Sequence, residues 1–593
     1  MEEEPPPKRL RRGGVQQRLQ RVEARNDAAP VASNLAHELL ERWSWGEVSP
    51  QVVQKLAAAS QRDFQAVGAT PPSEIAALAG LGSAGLSFKP PWDKLLQTML
   101  LPHVVFSDLY HSYPAAFAKF MMPSGGISKL KEFWRLQKAG HPAWRNHPIV
   151  SKRSFDAEHT LPLQLHGDGT PVVGIGKIWS RQLTSYTWNS LLAEGWTKDS
   201  MMPSWFCFDE TEAGRETTDE FFRIICWSFA CLASGVWPAA NHLGAKQLCK
   251  YPAGTVEARR AGTPLANGLR GIIWSLNGDA EYLVQKLQLP HYGSKSSPCA
   301  LCRCRGDNSD SSWHDCRTSA RWLTLGWTRE SWLAYPERSS SAIFSNATGL
   351  TPLNVHYDYM HCKYLGADQI SFGSVLDLLV SHLMADSPLT NLGQCWDKIV
   401  TSYKRLGISE RYRGFRKLTM FQRKKKCPKL KGRAGQIAAF GEPLLELWEE
   451  HMHPDLAVHC KIRTYLRLNI AMEKIMKECR AETAFPEPQA TNFIEYAFAM
   501  CNLHMELGAH FEAEGLKLFS PLPKLHLLLH TVLLCRHINP RLTWCYKGED
   551  LQKVSRSLAA SCARGLRGPA VTVKMVSKLR AAWNLRLSKV SAD

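Results

Sequence analysis

The sequence predicts an α/β protein in which a mixed sheet, flanked by helices, is interrupted by a large helical insertion. Segment 159–176, HTLPLQLHGDGTPVVGIG, alternates apolar and polar residues and breaks at glycines, as strands and their turns do. Segment 268–289, GLRGIIWSLNGDAEYLVQKLQL, predicts a buried strand, an acidic turn and a helix. From about 370 to 535 the apolar spacing favours helices, and segment 549–565 predicts a last amphipathic helix that ends at Gly565.

These patterns divide the chain into six regions. They are a disordered basic tail at 1–30, a small helical N-terminal region at 31–155, the first part of the core at 156–295, a Cys/His loop at 296–320, a mainly helical insertion at 321–520, and the C-terminal part of the core with the last acidic helix at 521–593. Segment 181–196 predicts a second strand, and segment 220–237 is apolar without a period that decides its type.

The charge balance favours a polyanionic partner. Lysine and arginine outnumber aspartate and glutamate by 73 to 54, which gives a net charge of +19, and the pI is about 9.2. Nucleic acid is the commonest such partner, although a merely soluble basic protein has the same balance. The stretch PKRLRR at 7–12 is typical of a nuclear import signal, so we expect the protein in the nucleus.

Secretion and membrane insertion are not predicted. The segment MEEEPPPKRLRRGG has no apolar core of a signal peptide, and no run of 18 apolar residues occurs in the chain. A reducing compartment follows, in which the 17 cysteines are thiols or metal ligands more often than disulfides.

Three carboxylates stand at positions where predicted elements begin or end. Asp168 lies in the first strand, Asp279 lies where a buried strand meets a helix, and Glu549 lies at the start of the last helix. Oxygen ligands that converge in this way suit two Mg²⁺ or Mn²⁺ ions, which clamp the attacking and leaving oxygens of a phosphodiester. Acids on a sheet, an insertion and a final acid on a helix are what a ribonuclease-H-like core requires.

Each of these acids also has a purely structural interpretation. Asp168 precedes a glycine, a pair frequent in hairpin turns, and Asp279 is in a position to cap a helix. Glu549 favours the positive end of a helix dipole. Taken one at a time, the residues leave both interpretations open.

A second acidic position pairs with a histidine inside an apolar segment. In VHYDYMHCKYLG (355–366), Asp358 and His361 are three residues apart, which on a helix places both on one face. The pair fits either a site that supports an active centre or a hydrogen-bonded pair in the core.

The segment SSPCALCRCRGDNSDSSWHDC (296–316) has the composition of a zinc-binding loop. Its CxxC pair is followed by a histidine and a cysteine at a spacing that suits tetrahedral zinc, with Cys299, Cys302, His314 and Cys316 as the predicted ligands. Such an ion would staple a polar loop that has no core of its own. Free thiols in a surface loop are the alternative.

Several segments resemble DDE-type DNA transposases of the CACTA and Plavaka-like group. The stretch DYMHCKYLGADQ (358–369) is similar to the D-x-x-H segment of that family, with matches at Asp358, Met360, His361, Leu365 and Gly366. Segment 277–302 resembles the block of the second aspartate, in which Gly-Asp precedes a helix and a CxxC pair. Segments 427–448, 520–530 and 539–565 resemble the basic entry to the insertion and the terminal block with the third acid. The likeness covers roughly 160–570.

The resemblance implies a function as well as a fold. It implies a ribonuclease-H-like core in which Asp168, Asp279 and Glu549 are catalytic and hold two Mg²⁺ or Mn²⁺ ions. Asp358 and His361 would support these ligands, and double-stranded DNA, as element ends and target, would be cleaved and joined by homo-oligomers. Phosphates would be contacted by basic residues of the insertion, namely Lys424, Lys425, Lys426, Lys429, Lys431 and Arg433.

The sequence departs from the family in two places and leaves rival functions open. HGDGTPVVG (166–174) is a loose version of the first-acid block, and the third acid has rivals in Glu506, Glu512 and Asp550. No cysteine precedes Cys207, so the sequence predicts no N-terminal zinc finger to read DNA. Two alternatives remain open. One is a catalytically inactive, transposase-derived DNA-binding protein, and the other is a zinc-containing RNA or protein interaction factor.

Overall fold

A single mixed sheet forms the centre of the protein. The computed structural model describes residues 29–49, 85–88, 97–172, 180–212, 214–243, 250–307, 309–563 and 568–590. The six strands there are β1 Gly85–Phe88, β2 Gln97–Leu100, β3 Thr160–Pro171, β4 Gln182–Ser190, β5 Met202–Phe208 and β6 Arg270–Asn277, and their order across the sheet is β1-β2-β5-β4-β3-β6. The predicted mixed sheet, with strands from 160 and 270, is confirmed.

Three consecutive strands form an antiparallel meander, and the last one returns parallel. β3 pairs antiparallel with β4, β4 pairs antiparallel with β5, and β6 lies parallel to β3 on its other side. A parallel neighbour requires a long crossover, which a helix usually supplies. Val355 adds a parallel bridge to Leu276 on the free edge of β6. Every residue of β5 is buried.

Helices flank the sheet and form the whole insertion. In chain order they are α1 Ala29–Ser44, α2 Pro102–Ser112, α3 Pro114–Phe120, α4 Gly126–Lys138, α5 Thr197–Ser200, α6 Arg215–Ser234, α7 Val256–Arg260, α8 Ala280–Gln285, α9 Arg329–Leu333, α10 Gln369–Leu378, α11 Pro388–Arg405, α12 Ala434–Ala438, α13 Gly441–His451, α14 Ala457–Glu478, α15 Gln489–Ala513, α16 Lys524–Leu533, α17 Tyr546–Cys562 and α18 Pro569–Val590. Two π-helical segments, Met360–Asp368 and Leu379–Leu383, flank α10. The predicted helical stretch from 370 to 535 is confirmed.

The apolar segment of undecided type is the crossover helix α6. It ends at Gly235, whose φ of 74° places it in the left-handed region that glycine tolerates best. The helix begins soon after β5, and its crossover allows β6 to run parallel to β3.

The N-terminal region contributes strands as well as the predicted helices. β2 joins the edge of β5, where Met99 is opposite Trp205, and β1 pairs with β2. The pairing covers a sheet edge that would otherwise expose unpaired backbone groups. The basic tail up to residue 28, with the import-like stretch at 7–12, and Gly565 lie outside the described residues.

One hydrophobic core joins the sheet to the insertion. Its buried residues run from Trp45 to Leu587. None of the described helices is long and apolar enough to cross a membrane.

Candidate active site and candidate metal centre

Two of the predicted acids lie on neighbouring strands at the same end of the sheet, Asp168 within β3 and Asp279 just after β6. In the parallel pairing of β3 with β6, His166 is opposite Asn277, so Asp168 and Asp279 each follow two residues further on. Neighbouring strands are about 4.8 Å apart, and the register therefore brings the two side chains to one place. Asp279 is also the N-cap of α8, since its Oδ1 accepts the backbone N–H of Tyr282 at 2.7 Å. The capping interpretation and the active-site interpretation thus apply to the same residue.

Negative charge is crowded around Asp168. Burial, and then the charge of Asp279, raise the pKa of the Asp168 carboxyl to about 7, and the charge of Glu549 acts in the same direction. No lysine or arginine within the described ranges forms an ion pair with Asp168 or Asp279. A site of this kind favours a cation, because positive charge would relieve the repulsion between the carboxylates.

α17, which was predicted as the last helix but is followed by α18, places Glu549 beside these two acids. α17 packs on β3 and β4, and Gln552 donates from Nε2 to the carbonyl of Asp168 at 3.2 Å and to Ser185 Oγ at 2.8 Å. At Gly548 a Cβ atom would lie 2.3 Å from the ring of His166, so only glycine permits the contact. Glu549, in the next position and in the first turn of the helix, is 40% exposed.

His361 lies between two carboxylates. Its Nδ1 is 2.5 Å from Asp358 Oδ2 and its Nε2 is 3.3 Å from Glu549 Oε1. Burial lowers the pKa of the imidazole, but the hydrogen bond and charge of Asp358 and the charge of Glu549 outweigh it, so the pKa is raised. The two carboxylates therefore favour the protonated form of the ring.

Asp358 fixes the segment that carries His361. It precedes the π-helical segment instead of lying on a helix, and its carboxylate accepts the backbone N–H groups of Met360 and His361 at 3.2 Å each. It also accepts the N–H of Cys545 at 3.0 Å, which ties it to the start of α17. Asp358 is only 3% exposed, and π-helical turns are frequent at functional sites.

A buried ionic network holds the same segment from the insertion side. Lys363 Nζ lies 2.9 Å from Asp368 and 3.0 Å from Glu473, and it donates to Asn469 at 3.0 Å. Lys363 is fully buried, and these partners satisfy the charge that burial would otherwise make costly. The His361 segment is thus held on both sides.

The three predicted acids do not belong to the most compact groups of possible metal ligands in the described residues. Among the described residues, two sets of His, Cys, Asp and Glu bring their ligand atoms within 4.8 Å of one another, and neither contains Asp168, Asp279 or Glu549. One set is Asp358, His361 and Cys545. Burial raises the pKa of the Cys545 thiol, and its Sγ donates to Asn277 at 2.6 Å, so a hydrogen-bonded cluster describes this set better than a thiolate site.

The rivals for the third acid have other partners. Glu506 pairs with Lys461 at 2.7 Å, and Asp550 pairs with Lys553 at 2.5 Å. Glu506 and Glu512 both lie on α15, in the insertion. Among these candidates for the third acid, Glu549 is the one that contacts His361, and its charge raises the pKa of Asp168.

The second tight set is a buried group of three cysteines and one histidine that can hold a metal ion. It consists of Cys299, Cys302 and Cys304 from the Cys/His loop and His526 from α16. His526 Nε2 lies 3.4 Å from the sulfurs of both Cys302 and Cys304. His530 is adjacent, with its Nε2 3.4 Å from Cys302 Sγ and 3.1 Å from His526 Nε2.

Two of the predicted zinc ligands lie outside this group. The structure brings Cys299 and Cys302 to it, but His314 stacks on Trp313 and bonds Ser312 Oγ at 2.8 Å, and Cys316 is buried elsewhere. The sequence prediction rested on the nearest downstream histidine and cysteine.

Several site residues were not found from the sequence. The pair His526 and His530 has the i, i+4 spacing that places two imidazoles on one helix face, and this signal was available. His166, two residues before Asp168 on the same strand face, was available through the period of two. Its pKa is lowered to about 4 by burial, against the charges of Asp358 and Asp279. Cys304 belongs to the same Cys/His segment, two residues after the CxxC pair, but was not among the four predicted ligands, and Cys545 had no signal beyond its residue type.

Three of the six predicted phosphate-binding residues, Lys424, Lys425 and Lys426, line an open basic depression. Arg423, Lys424, Lys425, Lys426 and Lys517 line a surface hollow of about 560 Å³, in which Asp377 is the acidic residue. Lys424, Lys425, Lys426, Lys431 and Arg433 are exposed and Lys429 is half-buried. Burial, and then the charges of Lys524 and Arg423, lower the pKa of Lys429. Positive charge therefore extends from the hollow to Lys524, whose charge also acts on His361.

Comparison with protein-family models and with curated proteins finds no match for this chain. The function is therefore inferred from the geometry of the site.

Proposed function

We propose that the protein cleaves DNA and transfers strands as DDE-type transposases do, with a ribonuclease-H-like core. One observation carries the proposal. Three acids predicted from distant segments, Asp168, Asp279 and Glu549, lie close enough together that the charges of the last two raise the pKa of the first. The antiparallel meander followed by a parallel strand, with a helix-borne acid after an insertion, supports this core.

Mg²⁺ or Mn²⁺ fits the donor set of these acids. The three side chains offer only oxygen. The pKa of Asp168 is raised mainly by burial and then by the charge of Asp279, and a divalent cation would relieve that repulsion. When bound, two such ions would activate water and stabilise the leaving 3′ oxygen of a phosphodiester. We therefore assign Asp168, Asp279 and Glu549 as the ligands.

The other residues of the site position these ligands. His361 donates from Nε2 to Glu549 and thereby fixes the direction of its carboxylate. Asp358 accepts a hydrogen bond from His361 Nδ1 and so fixes the plane of the protonated ring. No side chain attacks phosphorus in this scheme, so no covalent intermediate between enzyme and DNA is expected.

Double-stranded DNA is the partner that the basic surface favours. The hollow between Arg423 and Lys517 would bind backbone phosphates, which contribute affinity but no sequence information. Lys524 extends this surface toward His361. Joining two element ends requires two copies of the site, so we expect a dimer or a larger assembly on DNA, which sizing on DNA would test.

For the Cys299–Cys302–Cys304–His526 group we propose zinc. Three thiolates and an imidazole are a common tetrahedral zinc set, whereas Mg²⁺ and Mn²⁺ prefer oxygen. With all four positions taken by the protein, this ion would be structural and would leave cleavage to the carboxylates.

Nicking of supercoiled DNA tests the proposal. Purified protein is incubated with Mg²⁺ or Mn²⁺ beside Asp279→Asn, which keeps a helix-capping side chain but removes the charge. Asp315→Asn, at an aspartate paired with Arg317 in the Cys/His loop, is the matched control.

We expect metal-dependent nicking by the wild type and the control, and a loss of at least 100-fold in Asp279→Asn. Absence of nicking, with salt-sensitive DNA binding retained, would favour a transposase-derived DNA-binding protein with idle acids. Preference for structured RNA, unaffected by changes at the acids, would favour the RNA-interaction alternative.

A further inference from the structure

The thiol group and the acidic site are joined by Tyr357. This residue immediately precedes Asp358 and is 8% exposed. Its hydroxyl accepts the backbone N–H of Ala300 at 3.2 Å, and its carbonyl accepts the hydroxyl of Thr531 at 2.9 Å. Ala300 lies between Cys299 and Cys302, and Thr531 follows His530 on α16.

The two segments that supply the metal ligands therefore hold the same residue. The loop holds the ring end of Tyr357, and α16 holds its backbone. One position further along the chain, Asp358 bonds His361 and the N–H of Cys545, and His361 contacts Glu549. The contacts of Tyr357 and Asp358 in this connection are hydrogen bonds, and that of His361 with Glu549 is an ion pair.

We propose that a zinc ion bound by Cys299, Cys302, Cys304 and His526 holds the loop against α16 and thereby positions Asp358 and His361 beside Glu549. The inference rests on the proposed function only for the role that it gives to the Asp358–His361 pair. The ion is a positioning element, because it contacts neither DNA nor the carboxylates.

The loop has no regular secondary structure that would hold its cysteines together. Over residues 286–320, between α8 and the short 3₁₀ helix Arg321–Thr324, the described chain contains no helix or strand. Cys299, Cys302 and Cys304 are nevertheless at most 1% exposed, and His526 Nδ1 is buried without a hydrogen-bond partner. Sulfur and nitrogen atoms gathered without an ion would gain only weak hydrogen bonds, whereas metal binding contributes directly to the free energy of folding.

His526 is assigned as the fourth ligand and His530 as its neighbour. The ligand atom of His526 lies within 4.8 Å of those of all three cysteines, and His530 is not in that set. His530 Nε2 contacts Cys302 and His526 alone within the described group.

Zinc content and amide hydrogen exchange test the proposal without any measurement of cleavage. Zinc per chain is measured by elemental analysis for the wild type, Cys304→Ser, His526→Gln and His530→Gln. Cys316→Ser and His314→Ala, the residues outside the group, are matched controls. Cobalt substitution reports thiolate ligands through charge-transfer absorption.

We expect about one zinc per chain in the wild type, His530→Gln and both controls, and at least a tenfold loss of affinity in Cys304→Ser and His526→Gln. Exchange of peptides that cover 355–366 and 543–549 should become at least tenfold faster when zinc is removed. Exchange in α11, at the far side of the insertion, should not change.

Thr531→Val serves where a ligand variant fails to fold. It should keep the zinc and still speed exchange at 355–366, because it removes the bond to the Tyr357 carbonyl. A wild type without zinc, zinc loss in Cys316→Ser instead of Cys304→Ser, or unchanged exchange at 355–366 after zinc loss would each overturn the proposal. None of these results depends on whether the protein cleaves DNA.

Discussion

His361 Nε2 lies 3.3 Å from Glu549 Oε1, although nearly the whole helical insertion separates the two residues in the chain. Asp358 holds the other ring nitrogen and also accepts the N–H of Cys545, four residues before Glu549. The contact therefore has support at both ends. It links the start of the insertion to the first turn of α17.

Loss of this contact should reduce cleavage without loss of DNA binding. We expect His361→Ala to lower metal-dependent nicking by about 10–100-fold, because Glu549 loses the group that orients it. The control is His510→Ala, which removes a His–Glu pair of similar length, 3.2 Å to Glu514, on the exposed face of α15. Equal nicking by His361→Ala and the wild type would show that the pair only stabilises the core.

Replacement of Asp168 by asparagine should stabilise the protein near and above neutral pH. The pKa of Asp168 is raised to about 7 in the folded state, so its burial lowers stability as pH rises from about 4 to 7. Asp168→Asn should therefore melt at a higher temperature than the wild type at pH 8, and the two should converge near pH 4. The gain is at most about 4 kcal/mol. Melting is followed without added Mg²⁺ or Mn²⁺.

A second aspartate provides the control of opposite sign. Burial raises the pKa of Asp156, but its hydrogen bond and ion pair with His159 outweigh this, and the pKa is lowered. Asp156→Asn should not stabilise the protein at pH 8.

Added Mn²⁺ should raise the melting temperature of the wild type more than that of Asp168→Asn, and an equal rise would count against Asp168 as a ligand.

A methyl group at Gly548 should displace the start of α17. Its Cβ would lie 2.3 Å from the ring of the buried His166, so we expect Gly548→Ala to cost about 1–3 kcal/mol and to reduce nicking. Gly393→Ala is the comparison, because Gly393 lies within α11 with nothing within 4 Å. That change should be neutral or stabilise by up to about 1 kcal/mol. Similar melting temperatures for both variants would contradict the close packing at Gly548.

The basic hollow should determine the salt dependence of DNA binding. Replacing Lys424, Lys425 and Lys426 by glutamine should weaken binding to all sequences alike. The slope of log Kobs against log salt should fall by about 2–3, since each phosphate that a lysine neutralises contributes about 0.9 to the slope. The same change at the three lysines of α4, Lys129, Lys131 and Lys138, should leave the slope unchanged. If both triple variants behave alike, the hollow is not a DNA site.

Two strands of the sheet could be predicted from local sequence. Alternation over 159–176 indicated the strand at 160–171, and the apolar run before the Asn-Gly-Asp cap indicated the strand and helix over 270–285; in the structure both strands are buried almost continuously. The addition of β2 to β5 could not be predicted, since pairing between Met99 and Trp205 depends on a free sheet edge and on no local signal. The same holds for the break before Met360, where Asp358 caps the segment.

The metal group shows the limit of spacing arguments. Cys299 and Cys302 were found from CxxC, because adjacent ligands follow local geometry. His526 follows the loop by more than 200 residues, and only the packing of α16 against the loop brings it there. His314 and Cys316 had the expected spacing. In the structure, however, His314 stacks on Trp313 and Cys316 is buried outside the metal group.

The order of these elements in the chain has a consequence for synthesis. Asp168, Asp279 and the basic hollow are all made well before Glu549, and the contact of Cys545 with Asp358 forms only when α17 has left the ribosome. A nascent chain therefore lacks this carboxylate until α17 has been translated. A copy that stops short of α17 would keep its positively charged surface but lose both Glu549 and the N–H group of Cys545 that Asp358 accepts.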